Sequence, residues 1–463
     1  MDKVFSSAKE AVSDITDGSA VAIAGFGLGH RFANDLIRAL REQGTRNLTL
    51  VCNSLGGPGQ RGQSLVENRQ VKKLIVAFSA RPNLVTPAEQ QIIAGELEVE
   101  LVGQGIIVER CRAGGAGIPA FYSPTGAETE LAAGKDVRYF DGRPHVLEHA
   151  IKLDYALISA YRADRAGNVQ FRGGSQNLNP ALAKAARVAI VEVNEIVEIG
   201  ELPPELVDLP GIFVSRVVKT NQVVEIQSLK RSDKRREAAS ARLYNGKPAL
   251  TRAGIAKNAA AILRDGSYVN LGTGIPTQVS NFLEGRGIWL HSENGILGYG
   301  PMVTGEDIDP DVYNAGGQFV SLVPGASFFD SVTSFEMARG SHIDYVILGA
   351  YEVDQHAHVA NWSLSDAKRG GIGGAMDLVA GNAELIITME HCDSKGRSKL
   401  KRECRYPLTA RNRVDWVVTD LAVLHRVENR FILEAVAPGF SVEEIIALTE
   451  MPVVAADRVR QMV

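Results

Sequence analysis

The chain has 463 residues, of which 45% are hydrophobic and 22% charged, with a net charge of −4. This is an ordinary globular composition, and the mild negative charge gives no basis for binding nucleic acid or an anionic membrane surface. The length allows two large domains, and 46 glycines point to many tight strand–helix turns or close backbone approaches to a ligand.

In chain order, Met1 to Gly18 is amphipathic and mixed in charge, with Val4, Ala8, Ala11, Val12 and Ile15 at helical spacing. It lacks the apolar core of a signal peptide, and no later apolar run is long enough to span a membrane. The four cysteines (Cys52, Cys111, Cys392, Cys404) show no C-x-x-C spacing, so neither a zinc site nor a disulfide framework is expected. A reducing, cytoplasmic location follows as the expectation.

A strand then leads into Gly25-Phe26-Gly27-Leu28-Gly29, and a helix carrying Leu36, Ile37 and Leu40 ends at Gly44. The turn reads G-x-G-x-G rather than G-x-G-x-x-G, which argues against a dinucleotide cofactor, and no P-loop motif occurs anywhere. The strand Leu50-Val51-Cys52-Asn53-Ser54 follows. Arg112-Ala113-Gly114-Gly115-Ala116-Gly117-Ile118-Pro119 is a glycine cluster that reads either as a flexible loop or as backbone N–H groups offered to an anion. A strand at Asp154-Tyr155-Ala156-Leu157-Ile158 precedes the turn Asp164 to Asn168. The charge run Lys230 to Glu237 reads as a surface linker.

Beyond that run the pattern repeats. Asp265-Gly266-Ser267-Tyr268-Val269 resembles Asp17-Gly18-Ser19-Ala20-Val21, and it leads to the turn Gly272-Thr273-Gly274-Ile275-Pro276. A helix is expected around Val279, Phe282 and Leu283, followed by Gly285. The apolar strand Gly287 to Leu290 runs into His291-Ser292-Glu293-Asn294-Gly295, and Asp344-Tyr345-Val346-Ile347-Leu348 repeats the strand at 154–158. His356-x-His358 has metal-like spacing without a third ligand and reads as a solvated turn. Arg369 to Asp377 is a second glycine cluster. The expected architecture is α/β: two related open α/β domains with mainly parallel sheets facing across a cleft, at 1–228 and 245–463, joined by a charged linker at 229–244.

Glu293 is the foremost candidate residue. Strands disfavour Glu, and the end of a strand is where open α/β sheets bind ligands. A carboxylate there can serve as general base, metal ligand or nucleophile. Aligned by the repeat, Asn53 occupies the position of Glu293 in the first half, so one composite site between the halves is expected.

Five strings, Ala113 to Tyr122, Ala163 to Val169, Ser292-Glu293-Asn294-Gly295, Pro324 to Phe329 and Gly373 to Leu378, together resemble the family I coenzyme A transferases, above all those acting on 3-oxoacids and 3-oxoadipate. The similarity covers nearly the whole chain, as an α-subunit-like half fused to a β-subunit-like half. It implies an enzyme that moves CoA from an acyl-CoA, such as succinyl-CoA, to a carboxylic acid by ping-pong chemistry. Glu293 matches the nucleophile that forms a glutamyl-CoA thioester. The Asn270 amide and Gly374 N–H match the oxyanion donors. Gln104 matches a glutamine beside the nucleophile, and Asn53 an asparagine lining the substrate pocket. The glycines Gly25, Gly27, Gly272, Gly274 and Gly373 are expected to face the cleft. CoA is a substrate, and no metal, permanently bound cofactor, nucleic acid or membrane partner is implied. A homodimer or homotetramer of the fused unit is expected.

The chain departs from the family pattern in five places. His30-Arg31 follows Gly29 where the family reads Ile-Pro, Ser54 replaces a second asparagine, the loop Gly57-Pro58-Gly59-Gln60-Arg61-Gly62 differs, Gly317 replaces a lysine, and Leu364 to Ala367 replaces an Ile-Pro-Gly-Lys segment. Such changes bear on which carboxylic acid is accepted. A CoA-ester hydrolase or ring-cleaving relative, and a non-catalytic acyl-CoA sensor, are the alternative readings. Glu293 together with Asn270 and Gly374 argues against both.

Overall fold

Two sheets, one in each half of the chain, organise the fold. The computed structural model describes residues 2–27, 31–79, 85–220, 241–364 and 369–463. The charge run at 230–237, the turn residues Leu28, Gly29 and His30, and the departures at 365–367 lie outside the described residues.

The first sheet is built from β1 (Ala20–Ile23), β2 (Leu48–Ser54), β3 (Val71–Phe78), β4 (Glu98–Leu101), β5 (Leu153–Asp164), β6 (Ala186–Val197) and β7 (Arg216–Lys219). Their order is β7-β6-β5-β1-β2-β3-β4, and every pairing along it is parallel. Buried on both faces, such strands read as continuous apolar runs. Along β5, Tyr155 and Leu157 enter one core while Ala156, Ile158 and Ala160 enter the other. The amphipathic N-terminus forms only a short helix, α1 (Ala8–Val12), which buries Ala11 and Val12. The next helix, α2 (Asn34–Gln43), buries Leu36, Ile37 and Leu40 and closes on Gly44, whose φ of 78° is the left-handed conformation glycine supplies at low cost.

The second sheet contains β8 (Tyr268–Leu271), β9 (Trp289–Ser292), β10 (Ile296–Met302), β11 (Val320–Phe328), β12 (Tyr345–Gly349), β13 (Glu384–Thr388), β14 (Val414–Val418), β15 (Ala422–Val427), β16 (Arg430–Val436) and β17 (Val453–Gln461). Its order is β11-β10-β9-β8-β12-β13-β14-β15-β16-β17. The centre, β9-β8-β12-β13-β14, is parallel. The flanks are antiparallel at β9–β10, β10–β11, β14–β15 and β15–β16, while the outermost pair β16–β17 is again parallel. The second sheet is therefore mixed rather than mainly parallel.

The repeat is visible in strand register. Val21 pairs with Leu50 and Tyr155, and Val269 pairs with Leu290 and Tyr345. One further expectation changes. The helix after Gly274 is a 3₁₀ helix, Pro276–Phe282. Thr277 and Ser280 turn their hydroxyls back onto the carbonyls of Gly274 and Thr277, at 2.7 and 2.8 Å, a pattern that competes with α-helical bonding. The end of the stretch assigned to the linker is ordered: Leu243–Tyr244 pairs antiparallel with Lys247–Pro248, and the Tyr244 hydroxyl donates to Asp420 at 3.0 Å. No helix among the described residues is long and apolar enough to cross a membrane.

Candidate active site

The parallel strands of the second sheet end at a cavity of about 500 Å³. Its wall includes Gly272, Thr273, Gly274 and Ile275 after β8, Leu348 to Tyr351 at the end of β12, and Thr388 to Glu390 at the end of β13. The first half contributes Phe26, Phe78 and Gln104, so the cavity lies between the halves. Strand ends and domain interfaces are where α/β proteins place ligands.

Glu293 leaves β9 at the first residue of the β9–β10 turn and opens onto this cavity. The turn is held tightly. Gly295 has φ 106°, and a side chain there would meet the Phe329 carbonyl oxygen at 1.8 Å. The Ser292 hydroxyl donates to Asn294 Oδ1 at 2.6 Å and accepts the Ala315 N–H at 2.7 Å. Asn294 donates to the Tyr313 carbonyl at 2.7 Å. Ser331 reaches the Glu293 carbonyl at 3.2 Å. Glu293 is only 6% exposed. Burial raises its pKa to about 7, held back by its own backbone N–H and by the neighbouring Asn270 carboxamide.

The second glycine cluster carries Gly371, Ile372, Gly373 and Gly374 along the same cavity wall and starts the short helix α5 (Ala375–Leu378). This cluster grips the start of helix α3 (Gln104–Gly115). The Gln104 N–H donates to the Gly373 carbonyl at 2.9 Å. Asp377, fully buried on α5, accepts the Gly105 N–H at 3.0 Å, the Thr125 hydroxyl at 3.2 Å and Arg339 at 3.1 Å. Arg339 belongs to helix α4 (Ser331–Arg339) and also reaches Glu109 at 3.1 Å. Burial pushes the Asp377 carboxyl up, and the Arg339 charge opposes it. Gly374 has no room for a side chain: a Cβ would lie 2.9 Å from Gln104 Oε1. The Gly374 N–H has no acceptor among the described residues.

The expected site residues divide as follows. Glu293, Gln104, Gly272, Gly274, Gly373 and Gly374 share the cavity wall. Asn53 sits behind the wall and accepts from Gln104 Nε2 at 2.9 Å. Gly25 and Gly27 bring Phe26 to the wall without lining it. Gly25, at φ 124°, leaves room for the Phe32 ring, which would lie 2.3 Å from a Cβ. Asn270 is fully buried on β8, and its amide nitrogen lies 3.0 Å from His291 Nδ1.

Other residues are placed as follows. The cluster at 112–119 ends helix α3, where Gly114 and Gly115 let other backbone approach: Cβ atoms there would sit 2.0 Å from Ile151 O and 2.7 Å from Lys184 O. Arg31 is paired with Asp311 and reaches Asn194 at 2.5 Å, so its guanidinium is already occupied by protein carboxylate. His356 and His358 lie in a turn, and no cluster of metal-ligand type occurs among the described residues. Lys399 and the ion pair Arg252–Glu390 (2.6 Å) line the far wall, where burial pulls the Lys399 ammonium down to about 8. Nothing in local sequence marked His291, Asp377 or Lys399, because each acquires its setting from distant segments.

Comparisons with known proteins converge on this geometry. The profile of the family described as Coenzyme A transferase matches residues 5–220 and 253–448. The chain is 40% identical over 465 residues to the human protein named succinyl-CoA:3-ketoacid coenzyme A transferase 2, mitochondrial, covering 96% of this chain and 88% of that one. It is 45% identical over 218 residues to a Bacillus subtilis protein named as one of the subunits of a probable succinyl-CoA:3-ketoacid coenzyme A transferase, covering 47% of this chain and 90% of the relative. The solved acyl-CoA transferase YdiF apoenzyme from Escherichia coli O157:H7 superimposes with a TM-score of 0.80 at 21% identity, covering 100% of this chain and 95% of that one, and so shares the fold. With a carboxylate at the cavity between two halves and a family match running through both, the chain belongs to the coenzyme A transferase family and is an enzyme of that class.

Proposed function

We propose that the enzyme moves CoA from an acyl-CoA, with succinyl-CoA the first donor to test, to a 3-oxoacid through a covalent glutamyl-CoA thioester at Glu293. The observation that carries this reading is the Glu293 carboxyl itself: buried, and on the wall of a cavity that Gly374 and Gln104 also line.

In the proposed cycle the ionised Glu293 oxygen attacks the thioester carbonyl carbon. The C–S bond breaks, giving a mixed anhydride and CoA thiolate. The thiolate then attacks the Glu293 carbonyl of the anhydride, forming the enzyme thioester and releasing the donor acid. The acceptor carboxylate enters and the steps reverse, so no net water is consumed. A carboxylate with pKa near 7 is a stronger nucleophile than an ordinary one, yet it still ionises at neutral pH. The Gly374 N–H is suited to receive the negative charge that develops on the carbonyl oxygen. Identity to proteins named for succinyl-CoA and 3-ketoacids supports the substrate pair.

The test is intact mass after incubation with single acyl-CoAs and then borohydride. Reduction of a glutamyl thioester to the alcohol removes about 14 Da. A loss mapped to Glu293 establishes the covalent cycle and identifies the donor. CoA release into water with no mass loss points to the hydrolase reading instead.

A further inference from the structure

Helix α4 turns one face inward. Ser331, Ser334, Phe335 and Ala338 are buried, and their spacing puts them on a single side of the helix, while Glu336 is exposed. Two of the four are serines, and a buried hydroxyl needs a partner.

Both serines find one in the segment that carries Glu293. Ser331 Oγ donates to the Glu293 carbonyl at 3.2 Å. Ser334 Oγ lies 2.9 Å from His291 Nε2 and 3.4 Å from the Ser292 carbonyl. The same face then meets a different part of the cavity wall. The Phe335 ring stands against Gly374, where a Cβ would lie 3.0 and 3.1 Å from its Cε1 and Cζ. Arg339, at the end of α4, holds Asp377 on the short helix that follows Gly374, at 3.1 Å. Among the described residues, no hydrogen bond joins 291–295 to 371–377 directly.

The helix itself is fixed at both ends to the first half. The Ser331 N–H donates to the Asn177 carbonyl at 2.8 Å, and Arg339 reaches Glu109 at 3.1 Å. Asp330 caps the helix by accepting the Thr333 N–H at 2.9 Å. Ser331 and Phe335 are four residues apart, about 6 Å along the axis. An anchored helix does not stretch, so one turn of α4 separates the contact with Glu293 from the contact with Gly374.

We propose that α4 is the spacer of the active site: through Ser331 and Phe335 it fixes how far the Glu293 turn stands from the Gly373–Gly374 segment, and both are positioning residues for acyl transfer. That role presupposes that Glu293 attacks an acyl group held in this cavity. Neither side chain touches the reacting atoms. Each holds backbone that does.

The test is steady-state kinetics on the full enzyme, with the donor and acceptor that the parent turns over fastest, beside thermal melts. Phe335→Leu removes the ring edge that keeps Gly374 at its distance. It should lower kcat by about 10²-fold, the loss that about 1 Å of misplacement can cause, with KM for the acyl-CoA within about twofold. Phe431→Leu is the matched control. It loses a buried ring from the core of the second half, off the cavity wall, so its melting temperature should fall comparably while kcat holds. Ser331→Ala should lower kcat by about tenfold, and Ser331→Thr, which keeps the hydroxyl, should restore most of it. This pair carries the test where Phe335→Leu does not fold. An unchanged kcat in the folded variants, an equal loss in Phe431→Leu, no recovery in Ser331→Thr, or a loss carried by KM overturns the proposal. Borohydride trapping on the parent separates the two readings. If nothing is trapped while this pattern of kcat appears, α4 still spaces the site and the covalent reading fails; if Glu293 is trapped and kcat does not move, the spacer alone fails.

Discussion

Glu293 meets two opposed demands. Burial favours its neutral form, whereas attack on a thioester needs the carboxylate. With a folded pKa of about 7 against an ordinary value near 4.5, the carboxyl binds its proton more tightly in the folded state. Its contribution to stability is therefore complete below about pH 4.5 and is lost as pH rises through 7. Glu293→Gln removes the buried charge. Thermal melts should show the variant more stable than the parent at pH 8, by up to about 3 kcal/mol, with the two converging near pH 4.5. The same substitution should cost on the order of 10⁴–10⁶ in kcat, the range seen when a nucleophile is lost. Gain at high pH with loss of activity is the signature of function held against stability. Glu293 stood out in the sequence because a Glu at a strand end before an Asn-Gly turn is out of place locally, and the family resemblance implied its role as nucleophile. Asn53 was legible as its counterpart, but its hydrogen bond to Gln104 was not, because that contact spans distant segments.

At the scale of elements, the 371–378 segment is the piece that joins catalysis to packing. Gly374 lines the cavity, and its missing side chain leaves space for Gln104 and Phe335. Gly374→Ala keeps the backbone N–H but should push Gln104 aside, and should lower kcat by about 10²-fold, the loss that a misplacement of about 1 Å can cause. Gly285→Ala is the contrast. At φ 74°, off the cavity wall and with nothing within 4 Å, it should cost about 1–2 kcal/mol in backbone strain and leave kcat nearly unchanged. Steady-state kinetics beside thermal melts separates the two. Asp377→Ala should destabilise by about 3–5 kcal/mol, because it strands Arg339 and the Gly105 N–H beneath the site. Sequence marked both glycine clusters alike. Only packing distinguishes them: one lines the cavity, and the other ends a helix pressed against Ile151 and Lys184.

For the whole molecule, the two halves are bound by polar contacts as well as by the shared cavity. Asp311 receives Arg172 at 2.6 Å as well as Arg31, and Arg339 reaches Glu109 at 3.1 Å. Co-expressed fragments 1–228 and 229–463 should therefore copurify and be active, while the second alone, though it carries Glu293, should yield no borohydride-trapped product. The related proteins named as separate subunits make this division natural. The repeat in sequence foretold matching strands, and the register bears this out at Val21 and Val269. It did not foretell the antiparallel flanks of the second sheet. Apolar runs show that a strand is buried, whereas direction is decided by how the chain returns, as it does through the tight turn at Gly295.

The order of strands also fixes a length. Between β9, where Glu293 begins, and β13, where Glu390 follows, lie β8 and β12. Three inter-strand steps of about 4.8 Å put about 14 Å between the reacting carboxyl and the charged far wall. A small acid set against Glu293 leaves that wall untouched, and only a ligand with a long, extended arm touches both. The sheet thus acts as a ruler: its pitch sets how long a ligand must be to meet both Glu293 and the charges of Arg252, Glu390 and Lys399.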